Sequence, residues 1–335
     1  MVSEATRRTI RERLAAETGR IDRTAPFTVA LAYPAPYAVA MSSLGFQWVY
    51  RTLQHLPGIG CERVFLPDGG ARPGARPEPA VSYEGLRSLG DFALLAFSIA
   101  HELELGALWR MLDAAGVPPL RELRDARSPL VVAGGPLTLA NPRVLGPFAD
   151  AVVVGEAEGI VERVVQLVRD ASGREAALDA LGRLDHVFVP GRHGEQVPEA
   201  GVCPAARLPA VGAIRTPYAE LRDMLLIEVE RGCSRGCTYC VMRRGPGREM
   251  RLVAADAVLA RIPPEARRVG LVGAAVTDHP RIARLVRDLA QRGCTVGLSS
   301  LRPDRLDEEL VSALRAGGYR TLTTALDGAS QRLRD

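Results

Sequence analysis

The sequence predicts an α/β protein in two parts, a doubly wound parallel sheet followed by a partial barrel of βα units. Three observations carry this. Short apolar runs recur at residues 27–33 (FTVALAY), 61–66 (CERVFL), 92–99 (FALLAFSI), 130–133 (LVVA) and 151–154 (AVVV). Segments of helical pattern separate several of them, as in a parallel sheet covered on both faces. After a stretch scattered with Pro and Gly, the same alternation resumes at residue 224.

Residues 1–24 read as an amphipathic, Arg-rich helix, and MVSEATRRTIRERLAAETGR lacks the apolar centre of a signal peptide. A strand is expected at 27–33, a helix over 38–56 and a second strand at 61–66. Residues 68–79 are rich in Gly, Pro and Arg and read as a loop. The strand at 92–99 leads to a helix over 101–115, closed by Gly116. The strand at 130–133 ends in Gly134, Gly135 and Pro136, and that at 151–154 ends in Gly155 and Glu156. Residues 25–172 are therefore expected to form a flavodoxin-like domain. Residues 173–222 read as a connector. From 223 to 335, strands are expected at 224–229, 268–272, 294–298 and 320–325, with helices over 253–261, 281–291 and 304–315. No fixed-period repeat or low-complexity tract interrupts this order.

The chain has 335 residues, 47% hydrophobic, with net charge +4, and all its basic residues other than His are Arg. That charge is too small to point to nucleic acid. No apolar run reaches the roughly 18–20 residues of a membrane helix, so a cytoplasmic protein without a membrane partner is expected. In that compartment six cysteines do not suggest a disulfide framework.

Three of the six lie within eight residues. ERGCSRGCTYC places thiols at Cys233, Cys237 and Cys240, directly after the strand at 224–229. Thiolates suit zinc or iron–sulfur clusters. Structural zinc needs four closed ligands, and the nearest later His is His279. Three thiolates on a four-iron cluster leave one iron open to a substrate's amino and carboxylate groups. A loop at the C-terminal end of a barrel strand is where such folds place their chemistry. Cys61, Cys203 and Cys294 read as small hydrophobes, with Cys203 standing out by its place in the connector.

The C-x3-C-x2-C spacing with Tyr239 before the last Cys resembles the signature of the radical SAM superfamily. Further stretches, VGLVGAAVTDHP, LSSLRP and ALDGASQRLR, resemble later strand ends of a group carrying an N-terminal cobalamin-binding-like domain. The resemblance implies that Cys233, Cys237 and Cys240 ligate a 4Fe–4S cluster and that Tyr239 lies near the adenine of S-adenosyl-L-methionine. It places Gly273, Ala274 and Ala275 at the methionine end of that cofactor, with no Gly-Gly-Glu there. Ser299, Ser300 and Arg302 fall where a third strand opens, and Asp327 and Ser330 where a fourth meets ribose or carboxylate. Against these stand blander readings: a strand-end turn for Ser299 and Ser300, a helix N-cap for Asp278, and a solvated charge run for Arg243, Arg244 and Arg248.

LAYPAPYAVAMSSLGFQWVY, LLAFSIAHELELGALWRMLDAAG, PLVVAGGPLTLANP and AVVVGEAE are similar to the cobalamin-binding-like domain of the same group. The D-x-H-x-x-G loop that supplies a cobalt-ligating His is absent, so cobalamin is a candidate cofactor held without a protein ligand. The resemblance implies reductive cleavage of S-adenosylmethionine to a 5′-deoxyadenosyl radical acting on an unidentified substrate, with cobalamin-assisted radical methylation as an extension. It implies an electron donor of flavodoxin or ferredoxin type. The alternatives are a non-catalytic iron–sulfur electron-transfer protein and an RNA methylthiotransferase-like modifier, the latter disfavoured by the modest charge. A complete core of this family has more βα units than the four counted here. A truncated barrel, an open edge after 320–325 and oligomerisation, or completion by a further segment, are expected.

Overall fold

The computed structural model describes residues 2–68, 78–235, 237–243 and 249–324, with Ser330 and Arg332. The chain divides into two compact units, one of residues 1–207, 212–223 and 236–247, the other of residues 208–211, 224–235 and 248–335.

The first unit opens with helix Glu4–Ala15, capped by the Ser3 hydroxyl, which accepts from Thr6 N–H. This helix is shorter than the 1–24 expected. Six strands follow: β1 (Phe27–Pro36), β2 (Ile59–Leu66), β3 (Leu94–Ser98), β4 (Leu130–Gly134), β5 (Ala151–Val153) and β6 (Val187–Phe188). Their order is β2-β1-β3-β4-β5-β6, parallel throughout except that β6 runs antiparallel to β5 at the edge. The first five reproduce the flavodoxin-like order, with the topological switch between β1 and β3.

Why the strands carry apolar residues on both faces is visible in their alternation. Val29, Leu31, Leu94, Leu130, Val132 and Val153 enter one core, which also takes the helices Leu44–His55, Ile160–Asp170 and Arg174–Leu181. Ala30, Ala32, Leu95, Phe97, Val131 and Val152 enter a second core, with Leu108, Met111 and Leu112 of helix Leu105–Ala114. Both faces are covered, so the period of two is hidden in composition.

Two expectations for this unit are corrected. The helix over 38–56 is two helices, Tyr37–Ala40 and Leu44–His55, because Ser43 adopts extended backbone and caps the second, accepting from Phe46 N–H at 3.4 Å. The connector 173–222 is largely part of the unit: helix Arg174–Leu181 packs into its core and β6 completes its sheet. Residues 200–201 cross the end of β5, where Gly201 N–H donates to Val154 O and Glu156 N–H donates to Gly201 O.

In the second unit, β7 (Leu225–Glu228) is followed by β8 (Glu230–Arg231), which pairs antiparallel with β9 (Arg251–Leu252). With β10 (Arg268–Val272) and β11 (Thr295–Leu298), β7 forms a parallel sheet of order β11-β10-β7. Helices Ala255–Ala260, Ile282–Gln291 and Glu308–Ala316 supply the core: Val258, Leu285, Val286, Leu289, Leu310 and Leu314 pack with Ile227, Val269 and Leu271.

The parallel sheet expected to hold four strands holds three among the described residues. Residues 320–324 are exposed and form no strand. Strand preference is realised against a packed surface, and nothing among the described residues covers them. The outward amides of β11 are already engaged, Val296 N–H with Gly317 O at 2.9 Å and Leu298 N–H with the Tyr319 hydroxyl. At the other margin, Val211 bridges Ile227 and Glu228 N–H donates to Ala210 O. The edges are thus partly filled by irregular chain, which removes much of the basis for the aggregation expected of an open strand. No helix among the described residues is long and apolar enough to cross a membrane.

Candidate functional site

The end of β7 is where the apolar run turns polar. MLLIEVERGC sets Glu228 and Glu230 two residues apart, so both leave the chain on the same side. Glu228 is fully used: its carboxylate takes Arg231 Nε at 2.6 Å and Nη2 at 3.0 Å, and Ala210 N–H at 3.0 Å. Glu230 is carried by β8 beneath the segment following β10. There Oε1 accepts from Ala275 N–H at 2.6 Å, with Ala274 N–H also donating to the carboxylate. Its residue is 1% exposed, and Oε2 is buried without a hydrogen-bond partner among the described residues. Burial first, then repulsion from Glu228 and Asp278, pushes its carboxyl up to about 7 against the pull of the two amides.

The expected cofactor residues on the ends of β10 and β11 are brought together. Gly273 N–H donates to Ser299 Oγ at 3.0 Å, and that hydroxyl donates to Gly273 O at 2.8 Å. Ser300 Oγ accepts from Val276 N–H at 2.8 Å. The two serines thus lace one strand end to the next. A Cβ at Gly273 would lie 2.2 Å from Glu230 Oε1, so a larger residue there would displace the Glu230 side chain. Arg302 presents Nη1 to both oxygens of Asp278 at 2.7 Å and Nη2 to Asp304 at 2.5 Å. Arg305 at 3.3 Å and Arg235 at 3.8 Å complete the ring of charge around Asp278.

Asp278 is therefore no helix N-cap. Arg281 occupies that position before helix Ile282–Gln291, without a side-chain cap bond. His279 is buried, its Nε2 2.9 Å from Val253 O and its Nδ1 accepting from Arg281 N–H, and it is spent on fixing this turn.

Cys233 is half-buried at the start of the loop in the second unit, and Cys237 and Cys240 are half-buried on the segment grouped with the first. Cys240 N–H donates to Cys237 O at 3.2 Å, and Tyr239 is 71% exposed. All six cysteines are free thiols. Cys61, Cys203 and Cys294 are buried, as small hydrophobes are; Cys294 Sγ donates to Ala266 O at 3.2 Å. Cys203 sits with Glu156 and Glu158, the ligand-type atoms within 4.8 Å of one another. Asp327, Arg244 and Arg248 lie outside the described residues, and Ser330 is exposed.

In the first unit, the glycine turns at the ends of β4 and β5 are packed on the chain's own backbone. A Cβ at Gly135 would lie 2.6 Å from Ile99 O, and one at Gly155 would lie 2.6 Å from Gly201 N and O. His101 stands 3.6 Å from Glu104.

With this geometry in hand, two family models match the chain. "Radical SAM proteins, N-terminal" spans residues 45–190 and "Radical SAM superfamily" spans residues 227–335. The chain belongs to the radical SAM superfamily. The cofactors of this family are a 4Fe–4S cluster and S-adenosylmethionine. Among curated proteins, this radical SAM chain is 27% identical over 218 residues to the uncharacterized protein MJ0966 of Methanocaldococcus jannaschii, covering 62% of this chain and 44% of that protein. Among solved structures, it resembles the radical S-adenosylmethionine methyltransferase TsrM of Kitasatospora setae. One TsrM structure, with tryptophan substrate and aza-SAM bound, aligns with TM-score 0.55; another, with cobalamin and a [4Fe-4S] cluster bound, aligns with TM-score 0.51. Each is 14% identical, covering 87% of this chain and 57% of TsrM. At that identity the likeness is one of fold. The chain thus spans less than two thirds of each of these relatives.

Three free thiols at this spacing, with no disulfide among them, fit a cluster that needs three thiolates. A corrin held by a protein imidazole does not fit: the sequence lacks the D-x-H-x-x-G loop, and the glycine turns are filled.

Proposed function

We propose that this protein uses Cys233, Cys237 and Cys240 to hold a 4Fe–4S cluster, binds S-adenosylmethionine beside it, and acts as a radical SAM enzyme on a substrate yet to be identified. The observation carrying this reading is the free, half-buried C-x3-C-x2-C thiol set, which begins five residues past the C-terminal end of a parallel strand. When bound, the cluster supplies the electron that splits S-adenosylmethionine into methionine and a 5′-deoxyadenosyl radical. The chain's own residues bind and orient. The Gly273–Ala275 backbone, fixed by Glu230, Ser299 and Ser300, receives the methionine end, and Tyr239 lies against the adenine. Arg302, held by Asp278 and Asp304, fixes the opening of β11. By the resemblance, Ser330 serves the ribose or carboxylate of the cofactor. An electron donor of flavodoxin or ferredoxin type serves the cluster.

The test is anaerobic reconstitution of the wild type and of Cys233→Ala, Cys237→Ala and Cys240→Ala. Absorption near ~400 nm is expected in the wild type and lost in each triad variant, while Cys61→Ala and Cys294→Ala keep it. With a reductant and S-adenosylmethionine, the wild type should release 5′-deoxyadenosine. Cluster retention in the triad variants overturns the ligand assignment. A loaded protein that leaves S-adenosylmethionine intact supports the electron-transfer alternative.

A second reading, cobalamin-assisted radical methylation, is favoured by the likeness to TsrM, whose structure holds cobalamin with its cluster. In this chain a corrin would bind without an imidazole on cobalt. Titration with hydroxocobalamin tests it: a spectrum showing nitrogen ligation by the protein contradicts this form of the reading.

A further inference from the structure

Between the first two cysteines of the triad stands an arginine whose charge is already engaged. Arg235 is two residues from both Cys233 and Cys237, so its Cα lies no more than roughly 7 Å from either of theirs. A loop that holds a cluster with both thiols therefore carries this guanidinium beside it. The partners of Arg235 are two acids that follow later strands. Its Nε is 3.8 Å from Asp278 Oδ2, and its Nη2 is 3.7 Å from Asp304 Oδ2. All three residues belong to the second unit. The acids are held more closely by other arginines. Asp278, its side chain 4% exposed, accepts from Arg302 Nη1 at 2.7 Å on both oxygens, with Arg305 Nε at 3.3 Å. Asp304 accepts from Arg302 Nη2 at 2.5 Å.

Three arginines thus face two aspartates, a surplus of one positive charge. Arg235 is the least committed of them, since its contacts are beyond hydrogen-bond length and its side chain is 43% exposed. The reduction potential of an iron–sulfur cluster follows the net charge and the hydrogen bonds around it, and residues beyond the ligands tune it. A cation fixed nearby favours the reduced form, which carries one more electron. An anion nearby favours the oxidised form. We propose that Arg235, restrained by Asp278 and Asp304, sets the reduction potential of the cluster held by Cys233, Cys237 and Cys240. Arg235 makes the cluster easier to reduce, and the two aspartates offset part of that effect. They act as positioning residues, working through Arg235. This rests on the proposed reading of the site. Its consequence is that the ends of β10 and β11, where the methionine end of S-adenosylmethionine is read to bind, also decide how readily the donor's electron enters the cluster.

The experiment uses the full chain, anaerobically reconstituted without S-adenosylmethionine and held at a fixed potential near the wild-type midpoint. The ratio of reduced to oxidised cluster is read by electron paramagnetic resonance. Arg235→Gln should lower that ratio by about 3- to 15-fold, the scale of one unit charge roughly 10 Å away in a partly exposed site. Asp278→Asn should raise it over the same range, and the two changes combined should return it to within about 3-fold of wild type. Asp304→Asn alters an exposed acid and should also raise the ratio; it serves as the readout if Asp278→Asn does not fold. Damage to the loop by either substitution would move the arginine and aspartate variants the same way, so opposite signs separate charge from structure. Folded, loaded variants that shift together, or not at all, overturn the assignment of Arg235 and leave the cluster reading standing. A wild type that takes up no cluster overturns that reading and this inference with it.

Discussion

Glu228 and Glu230 differ at the level of single atoms, and the difference has a measurable sign. The Glu230 carboxyl sits near 7, above the ordinary 4.5, because burial and the charges of Glu228 and Asp278 outweigh its two amide donors; Arg231 is spent on Glu228. The folded state therefore holds this proton more tightly than the unfolded chain. Its contribution is fully present below about 4.5 and is lost as pH rises through 7. Glu230→Gln in the ligand-free protein should be more stable than the wild type at pH 8 by about 1–3 kcal/mol, the gap narrowing toward pH 5. Thermal melts across that range check this, and a lower melting point for the variant at pH 8 would falsify it. Arg63 makes the opposite case. It is fully buried, bonded to Glu17 at 2.7 and 2.8 Å and to Glu84 at 2.7 Å. Arg63→Met would strand both acids and should cost about 3–5 kcal/mol, read from denaturant unfolding; a loss under about 1 kcal/mol would mean that the acids relax to solvent. The cysteine triad was legible in the sequence because its spacing alone carries the chemistry. Glu230 was not: its meaning depends on β8 folding it under Gly273, which no local pattern announces.

At the scale of elements, the parallel strands were readable because both faces are buried and most of their residues are apolar. The misses share a cause, which is that a neighbour decides. Residues 320–324 carry three threonines and look strand-like, yet Gly317 and Tyr319 already occupy the outward amides of β11. Residues 187–188 are too short to announce a strand, yet they complete the first sheet. The crossing of residues 200–201 over β5 is equally silent in sequence and sharply constrained in structure. Gly155→Ala must adopt φ near +92° and place a Cβ 2.6 Å from Gly201 N and O. It should lose more than about 1 kcal/mol, whereas Gly173→Ala, with nothing within 4 Å, should stay within about 0.5 kcal/mol of wild type. Equal melting points for the two variants would show that the crossing yields freely.

For the whole molecule, the boundary expected at residue 172 cuts through a sheet. A fragment of residues 2–172 lacks β6, the helix Arg174–Leu181 and the crossing at 200–201. It would expose the edge of β5 and should aggregate, while residues 2–223 should give a cooperative melt. A soluble, cooperatively folding 2–172 fragment, by gel filtration and circular dichroism, would refute this. The chain itself leaves the first unit at residue 208, adds four residues to the margin of the other, returns at 212, leaves at 224, returns at 236 and leaves again at 248. No single cut therefore yields two intact halves. Exchange of either unit with a relative needs a junction at every crossing, and a fusion made at only one would carry off residues 208–211, which line the margin of β7. Two parts that look like separable modules are bound to be inherited together.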